Sequence, residues 1–362
     1  MVSVALKNIT KMYGNVPALH GVTLEIQDKE FLTILGPSGS GKTTFLRIIA
    51  GLETPTEGEI YFGDRQVNDL PARDRHVSIV FQSYALFPHM TVFDNVAFPL
   101  TIRKTDTVEV KRRVNEVAEL LGISQLLERK PRELSGGEQQ RVALGRAIVR
   151  SPDIFLMDEP LSSIDANMRI AMRTELKRLQ KTLGTTTVYV THDQIEAMTM
   201  ADRIAVMRNG AIMQVGTPES IYNAPKNSWT AGFIGNPPMN LIDGLYSGGD
   251  RVELSGYKVH LALPLHISPR TKDLAAGSKV KLGVRPEDIE VNKEPLEGPV
   301  LSGEVYVLES LGDSTVVVVK LGDSLVKAKA KPGFKAQVGD KVHLRLDPKR
   351  MAVFDGNTGA AI

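Results

Sequence analysis

The sequence predicts an α/β domain over residues 1–236 followed by a small all-β domain over residues 237–362, and three observations predict it. Strand-like and helix-like segments alternate through the first part, the pattern of a layered α/β fold. A stiff break stands at Asn236-Pro237-Pro238. After it come short β-rich runs spaced by Gly, Asp and Pro (KVKLGV, GEVYVLESLG, STVVVVKLG, KVHLRLDP), which suit a small barrel or sandwich.

The elements of the first part follow in order. FLTILG, from Phe31 to Gly36, is a short apolar run that leads into a Gly-rich loop, and TTFLRIIAGL then has helical composition. Between about 88 and 150 the pattern is mainly helical, a helical subdomain; there Val114, Val117, Ala118 and Leu121 form one apolar stripe at i, i+3, i+4 and i+7. IFLMDE, from Ile154 to Glu159, reads as a buried strand. Met168, Ala171, Met172, Leu176, Leu179 and Leu183 keep a helical period, and TTVYVTH, from Thr186 to His192, reads as a further strand.

Composition narrows the function classes. The chain has 362 residues, more than one ordinary core holds. Lys plus Arg is 44 against 42 for Asp plus Glu, which argues against a general polyanion binder. With no cysteine, neither a disulfide framework nor a thiolate metal site is possible. The start, MVSVALKNITKMYG, lacks a basic segment followed by an apolar one, so no signal peptide is expected. No apolar run approaches the roughly 20 residues of a membrane span. A membrane role would come through partner subunits.

Gly36-Pro37-Ser38-Gly39-Ser40-Gly41-Lys42-Thr43 matches G-x-x-x-x-G-K-S/T. The glycines let successive N–H groups curl around a β-phosphate at the positive end of the following helix. Lys42 would reach the β- and γ-phosphates of ATP, and the Thr43 hydroxyl would bind Mg²⁺. A Gly-rich turn alone would explain the glycines, but not the strand before and the helix after. Asp158, ending the apolar run IFLMD, would position Mg²⁺. Side chains alternate along a strand, so Glu159 is expected to point elsewhere, toward the γ-phosphate and its attacking water. His192, closing another strand, would hold the γ-phosphate or the water, and Gln82 would sense both metal and water. Taken singly, an acidic pair at a strand end, a lone His or a lone Gln is more often structural.

Leu134-Ser135-Gly136-Gly137-Glu138-Gln139-Gln140-Arg141 resembles the signature motif of ATP-binding-cassette ATPases. The other elements run in the order of that family: Tyr13-Gly14, the phosphate loop, Gln82, the signature, Asp158-Glu159, Ser163-Ile164-Asp165 and His192. The resemblance spans essentially the whole chain and implies a P-loop NTPase fold. It implies a nucleotide site of Tyr13, Gly36, Ser38, Gly39, Ser40, Gly41, Lys42, Thr43, Thr44, Gln82, Arg129, Ser135, Gly136, Gly137, Asp158 and Asp165. Thr43, Gln82 and Asp158 would hold Mg²⁺, and Glu159, His192, Gln82 and Lys42 would serve catalysis. Tyr13 would stack on adenine. Ser135, Gly136 and Gly137 would grip the γ-phosphate bound to a second copy, on whose side the loop at Asp165 crosses. A head-to-tail dimer is therefore expected.

Thr191-His192-Asp193-Gln194-Ile195-Glu196-Ala197-Met198, Gln214-Val215-Gly216-Thr217-Pro218 and Gly283-Val284-Arg285-Pro286-Glu287 narrow the resemblance to the sugar-importer branch, of maltose and glycerol-phosphate type. That branch carries an oligonucleotide-fold-like (TOBE) regulatory domain, in keeping with the β-rich tail. Its implied partners are transmembrane permease subunits and, indirectly, an extracytoplasmic solute-binding protein, and its implied place is the cytoplasmic face of the membrane. The apolar stretch Tyr84, Ala85, Leu86, Phe87, Pro88 and Met90 would receive a short helix of the permease. Two residues depart from the pattern: Glu138 where Gln is commoner, and Ile164 where Leu is commoner. Two rival readings keep the engine and change the cargo or the setting. Polyamine, iron, sulfate and glycerol-phosphate importers use very similar ATPases. A nucleic-acid-linked ATPase would place an oligonucleotide-binding barrel in the tail, but the tail lacks dense aromatic and basic interleaving, so no nucleic-acid partner is expected.

Overall fold

The computed structural model describes residues 2–249, 251–254, 260–263 and 274–362. They form two compact units, Met1–Pro218 and Glu219–Ile362. Residues 219–236, grouped above with the α/β domain, lie in the second.

The first unit opens with β1 (Val4–Tyr13), β2 (Val16–Ile26) and β3 (Phe31–Leu35), then α1 (Lys42–Ala50), β4 (Glu57–Phe62), β5 (Arg65–Gln66) and β6 (Val77–Val80). Three helices follow: α2 (Val92–Ile102), α3 (Thr107–Leu120) and α4 (Gly136–Ile148). The chain then returns through β7 (Ile154–Asp158), α5 (Ala166–Leu183), β8 (Thr186–Thr191), α6 (Gln194–Met200), β9 (Arg203–Arg208) and β10 (Ala211–Gly216). Strands order as β2-β1-β4-β5 in an antiparallel sheet and as β10-β9-β3-β8-β7-β6 in a second, mostly parallel sheet.

The second sheet is buried on both faces, which is why its central strands read as unbroken apolar runs rather than alternating ones. Leu32, Ile34, Leu156 and Val188 pack with Phe45, Leu46 and Ile49 of α1. Their neighbours Phe31, Phe155, Met157 and Tyr189 belong to the other core, with Met172, Leu176 and Leu179 of α5 and with the α2–α4 helices. The expected stripe on α3 is partly confirmed: Val114, Ala118 and Leu121 are buried and Val117 packs against them. Because β3, β7 and β8 are parallel and in register, their carboxyl ends at Leu35, Asp158 and Thr191 open onto one edge. That edge is where ligands bind in open α/β sheets.

One buried arginine fixes the far end of α1. Arg75, 4% exposed, donates to the Ile48 and Ile49 carbonyls at 2.8 and 3.1 Å, and to those of Leu70 and Asn68 at 2.8 and 3.2 Å. Gly51 ends the helix at φ +74°, and a Cβ there would lie 2.6 Å from Arg75 Nε.

The second unit begins within α7 (Pro218–Asn223) and continues with α8 (Ser228–Phe233). β11 (Asn240–Gly248), β12 (Arg251–Leu254), β13 (His260–Ala262), β14 (Lys279–Val284), β15 (Ile289–Asn292), β16 (Val300–Ser310), β17 (Thr315–Leu321), β18 (Ser324–Ala330), β19 (Lys341–Leu346) and β20 (Ala352–Asp355) follow. They build two antiparallel sheets, ordered β13-β12-β11-β14-β20 and β15-β19-β16-β17-β18. β11 shows the alternation of a strand with one buried face, and Ile242, Val252, Leu282, Val317, Val319 and Leu344 share one core. Arg285, 4% exposed, explains why residues 219–236 belong here. Its guanidinium lies 3.8 Å over the Tyr222 ring and donates to the carbonyls of Tyr222, at 2.6 Å, and Ile234. Tyr222 of α7 and Ile234 just after α8 are thus clamped to the end of β14.

Candidate nucleotide site

β3 ends at Leu35 and the loop 36–41 turns directly into α1. Two of its glycines are required by close approach. A Cβ at Gly36 would lie 2.3 Å from the Met207 carbonyl, and one at Gly41 would lie 2.6 Å from that of Ala18. Gly41 also takes φ +99° and, as the N-cap of α1, offers no side chain to the first helical N–H groups. Those groups are left for a ligand at the positive end of the helix. Lys42 is 5% exposed, and its Nζ donates to the Gly36 and Pro37 carbonyls, each at 3.0 Å. Burial pulls its pKa down, while Glu159 and Asp158 push it up.

A cavity of about 600 Å³ opens over this loop. It brings together Ser38, Gly39, Gly41, Lys42, Thr43, Thr44, Gln82, Asp158, Glu159 and His192. Thr43 Oγ1 donates to Asp158 Oδ1 at 3.2 Å. Burial holds the Asp158 carboxyl above the ordinary aspartate range, with Glu159 adding to the effect and Thr43 and Lys42 opposing it. Two oxygen donors side by side, a third oxygen-bearing residue in Gln82, and no sulfur fit a hard cation such as Mg²⁺, which is commonly held by one or two carboxylates plus substrate phosphates.

The two carboxylates diverge for a reason other than the expected strand alternation. β7 ends at Asp158. Glu159 lies beyond it in a left-handed conformation, φ +47°, with its N–H bonded to the Val190 carbonyl at 2.9 Å. This turn keeps both carboxylates on the cavity but gives them different partners. Glu159 Oε2 is 2.9 Å from His192 Nδ1, and Oε1 is 3.9 Å from Lys42 Nζ. A non-glycine residue in such a region marks strain held by its surroundings, a condition that clusters at functional sites.

Other expected site residues lie off the cavity. Gly36 and Ser40, both in the loop, do not line the cavity, and Ser40 Oγ is buried without a hydrogen-bond partner. Tyr13 is 46% exposed, its hydroxyl donating to Glu53 at 3.0 Å and Lys11 lying 5.0 Å over its ring. Arg129, Ser135, Gly136, Gly137 and Asp165 do not line it either. Ser135 caps α4. Its N–H and hydroxyl both donate to Glu138 Oε2, at 2.7 and 2.8 Å, and these bonds hold the Glu138 carboxyl below the usual range. The glycines behind it are small for contact with the next loop: a Cβ at Gly137 would lie 3.0 Å from Met168 Sδ, and one at Gly136 would lie 3.5 Å from Ile164. Asp165 caps α5, accepting from the Met168 N–H at 3.0 Å.

Two features escaped the sequence. Ala18 of β2 lines the cavity, through a tight backbone contact with Gly41 that no motif records. Arg146 of α4 donates to the Tyr84 and Ala85 carbonyls, both at 2.6 Å, and lies 5.5 Å from the Phe87 ring. Tyr84 and Ala85 both have positive φ, so the arginine holds a strained turn just after Gln82. Beside it runs a second groove of about 630 Å³ with Val77, Ile79, Phe81, Phe87, Phe98 and Ile102 in its wall and Arg73, Arg103, Arg146 and Arg150 around it. Of the expected apolar stretch, Ala85 and Phe87 reach this groove, whereas Tyr84 is buried and Leu86 packs on the core.

Residues 19–162 match the ABC transporter family, residues 235–289 the MalK OB fold domain and residues 282–354 the TOBE domain. The chain is 48% identical to the trehalose/maltose import ATP-binding protein MalK of Thermococcus litoralis, over all of both chains. It is 44% identical to the sn-glycerol-3-phosphate import ATP-binding protein UgpC of Bordetella avium, over all of this chain and 99% of that one. A solved ATP-binding cassette, a dimer in a post-hydrolysis state bound to ADP and Pi, superposes with a TM-score of 0.54 at 37% identity, covering 59% of this chain and 98% of that one. With the phosphate loop, the acidic strand end and His192 gathered on one cavity, and identity sustained over its full length, this chain belongs to the ABC transporter family, as one of its ATP-binding and ATP-hydrolysing proteins.

Proposed function

We propose that this chain powers the import of a sugar or a related polyol phosphate, working as a pair of copies bound to membrane permease subunits. The observation that carries the reading is an incomplete site. Lys42, Thr43, Asp158, Glu159 and His192 converge on one cavity, while Ser135, Gly136 and Gly137, an anion-binding helix start, stand away from it. A second copy placed head to tail would bring its own Ser135 to the γ-phosphate.

The loop N–H groups and Lys42 bind and orient the phosphates. Thr43 and Asp158, with Gln82 nearby, would hold Mg²⁺, which would supply charge neutralisation at the phosphate oxygens. Glu159 accepts the proton of the water that attacks the γ-phosphorus, and His192 holds that carboxylate in place. The terminal bond to the β-phosphate oxygen breaks, and ADP leaves with the phosphate. Closed and open pairs differ in affinity for ATP, and that difference is the mechanical output.

No helix among the described residues is long and apolar enough to cross a membrane, so attachment at the cytoplasmic face would be through partners. The groove around Phe87 and Phe98, apolar within and rimmed by arginines, suits a short permease helix with an acidic flank. The cargo class follows from the relatives, which are named for trehalose/maltose, xylose/arabinose, sulfoquinovosyl glycerol and glycerol 3-phosphate.

The test is transport in vesicles holding this chain with the permease subunits that co-purify with it. Uptake of labelled trehalose, maltose, xylose or glycerol 3-phosphate that needs ATP is expected. ATP-driven uptake of a polyamine, sulfate or iron instead would overturn the cargo class, and full-speed hydrolysis by a strict single copy would overturn the paired site.

A further inference from the structure

The turn that carries His192 and the loop that carries Asp165 are joined by one side chain that the catalytic motifs do not include. Arg169 stands one turn into α5, its N–H bonded to the Asp165 carbonyl. Its guanidinium donates to the Ile164 carbonyl at 3.1 Å and lies 3.6 Å from the Asp193 carboxylate, the residue after His192. Asp193 is itself fixed, since Oδ1 caps α6 by accepting from the N–H groups of Ile195 and Glu196 at 2.7 and 3.2 Å.

The turn is anchored from below as well. Glu196, 3% exposed, accepts from the Tyr189 hydroxyl at 2.8 Å and the Thr191 hydroxyl at 2.7 Å, and Thr191 Oγ1 accepts from the Asp193 N–H at 2.9 Å. Burial holds this carboxyl above the ordinary glutamate range, the Thr191 and Tyr189 hydroxyls oppose the effect, Asp193 adds to it and the charge of Arg169 opposes it. On its other side the Asp165 loop reaches Gln82, whose carbonyl accepts from Ser163 Oγ at 3.3 Å. Ile164 and Met168 meanwhile pack on Gly136 and Gly137 of the signature helix.

We infer that Arg169 is a positioning residue. It ties the Asp165 loop, against which a second copy would seat, to the His192 turn, and so holds His192 in its contact with Glu159. The inference deepens the proposed function and rests on its reading of this cavity as the place of hydrolysis. A planar guanidinium suits the task because it can face two acceptors at once, which an ammonium on a flexible stem does less well.

The experiment compares steady-state ATP hydrolysis by the full chain and by its Arg169→Ala, Arg169→Lys, Asp193→Asn and Arg169→Ala/Asp193→Asn variants, with Glu159→Gln alongside. Asparagine keeps the α6 cap and removes only the charge. Loss of an ion pair that aligns the reacting groups corresponds to about a tenfold fall in kcat. The expected result for Arg169→Ala is that fall with the KM for ATP within twofold of wild type, a smaller fall for Arg169→Lys, and a double variant no slower than the slower single one. Unchanged kcat in Arg169→Ala, an equal loss of ATP affinity, or losses that multiply in the double variant would overturn the inference. Should the alanine variant fail to fold, Arg169→Lys decides: about a threefold or greater fall in kcat at constant KM supports the link, and wild-type kcat removes it. If Glu159→Gln abolishes turnover while the Arg169 variants do not change it, the inference fails alone. If Glu159→Gln turns over normally, the reading of the cavity itself has failed.

Discussion

Glu159 and His192 meet at 2.9 Å although each stands one residue past the end of a different strand and they are 33 positions apart. The contact exists because β7 and β8 are parallel neighbours, with Asp158 opposite Val190. The left-handed turn at Glu159 then swings its carboxylate across to the end of β8. A carboxylate held by an imidazole on one side, with Lys42 beyond it on the other, is oriented before any water arrives.

Glu159→Gln should leave nucleotide binding close to wild type and suppress turnover by about 10²–10⁴-fold, because the amide keeps the volume but cannot take a proton. Phosphate release and equilibrium dialysis with ATP give the two numbers. The ATP-bound pair should then persist on gel filtration. Wild-type phosphate release would remove Glu159 from its role.

Asp158 carries a sign that can be checked. Burial holds its pKa above that of an unfolded aspartate. The nucleotide-free fold is therefore favoured by protonation: that contribution is fully present below the unfolded value of about 3.9 and is lost as pH rises through the raised one. At neutral pH the ionised carboxylate is a cost of keeping a metal-binding site. Asp158→Asn should raise the Tm of the nucleotide-free protein by about 1–3 °C near pH 7.5, with a smaller gain at pH 4. The same change should abolish the extra stabilisation that ATP gains from Mg²⁺. Melting curves at both pH values, with and without Mg²⁺ and ATP, decide it, and an equal Tm gain at pH 4 would contradict the burial argument.

How much of this was legible in the sequence depends on the range of the interaction. Ile154–Asp158 and Thr186–Thr191 are readable because a strand buried on both faces must be apolar throughout. Lys42, Thr43 and Asp158 are readable because phosphate chemistry needs those groups in that order. The turn at Glu159 is not, since its φ is imposed by the Val190 carbonyl and the neighbouring strand. Nor is the grouping of residues 219–236 with the β-rich unit. It depends on Arg285, which meets Tyr222 and Ile234 some fifty to sixty positions away. The same holds for Arg146, whose two carbonyl partners sit on a loop 61 and 62 positions earlier.

The unusual Glu138 should weaken the signature site. Its carboxylate sits at the start of α4, bonded to both Ser135 donors that an incoming γ-phosphate would seek. Two anions at one helix start repel. Glu138→Gln should therefore strengthen ATP-driven pairing several-fold when combined with Glu159→Gln, read by sedimentation velocity against ATP concentration. Ser135→Arg in the same background should leave ATP binding by the single copy intact and stop pairing. Unchanged pairing in Ser135→Arg would count against the shared site.

Arg75 supports the phosphate helix from the end that no ligand touches. Its guanidinium meets the last carbonyls of α1, at Ile48 and Ile49, where both hydrogen bonding and the negative end of the helix dipole favour a cation. Arg75→Ala leaves four carbonyls without this donor in a buried place, a loss of about 2–4 kcal/mol even after water enters. Arg75→Lys should recover less than half of it, because one ammonium cannot reproduce a fork aimed at separate segments. Gly51→Ala should be costly by a different route, since φ +74° disfavours any side chain and the new Cβ would press on Arg75 Nε. Thermal melting separates these effects from the site: the Tm should fall in all three variants, while the extra Tm given by saturating ATP stays near that of wild type. If the ATP increment vanished in Arg75→Ala, the arginine would be shaping the phosphate loop itself rather than the far end of its helix.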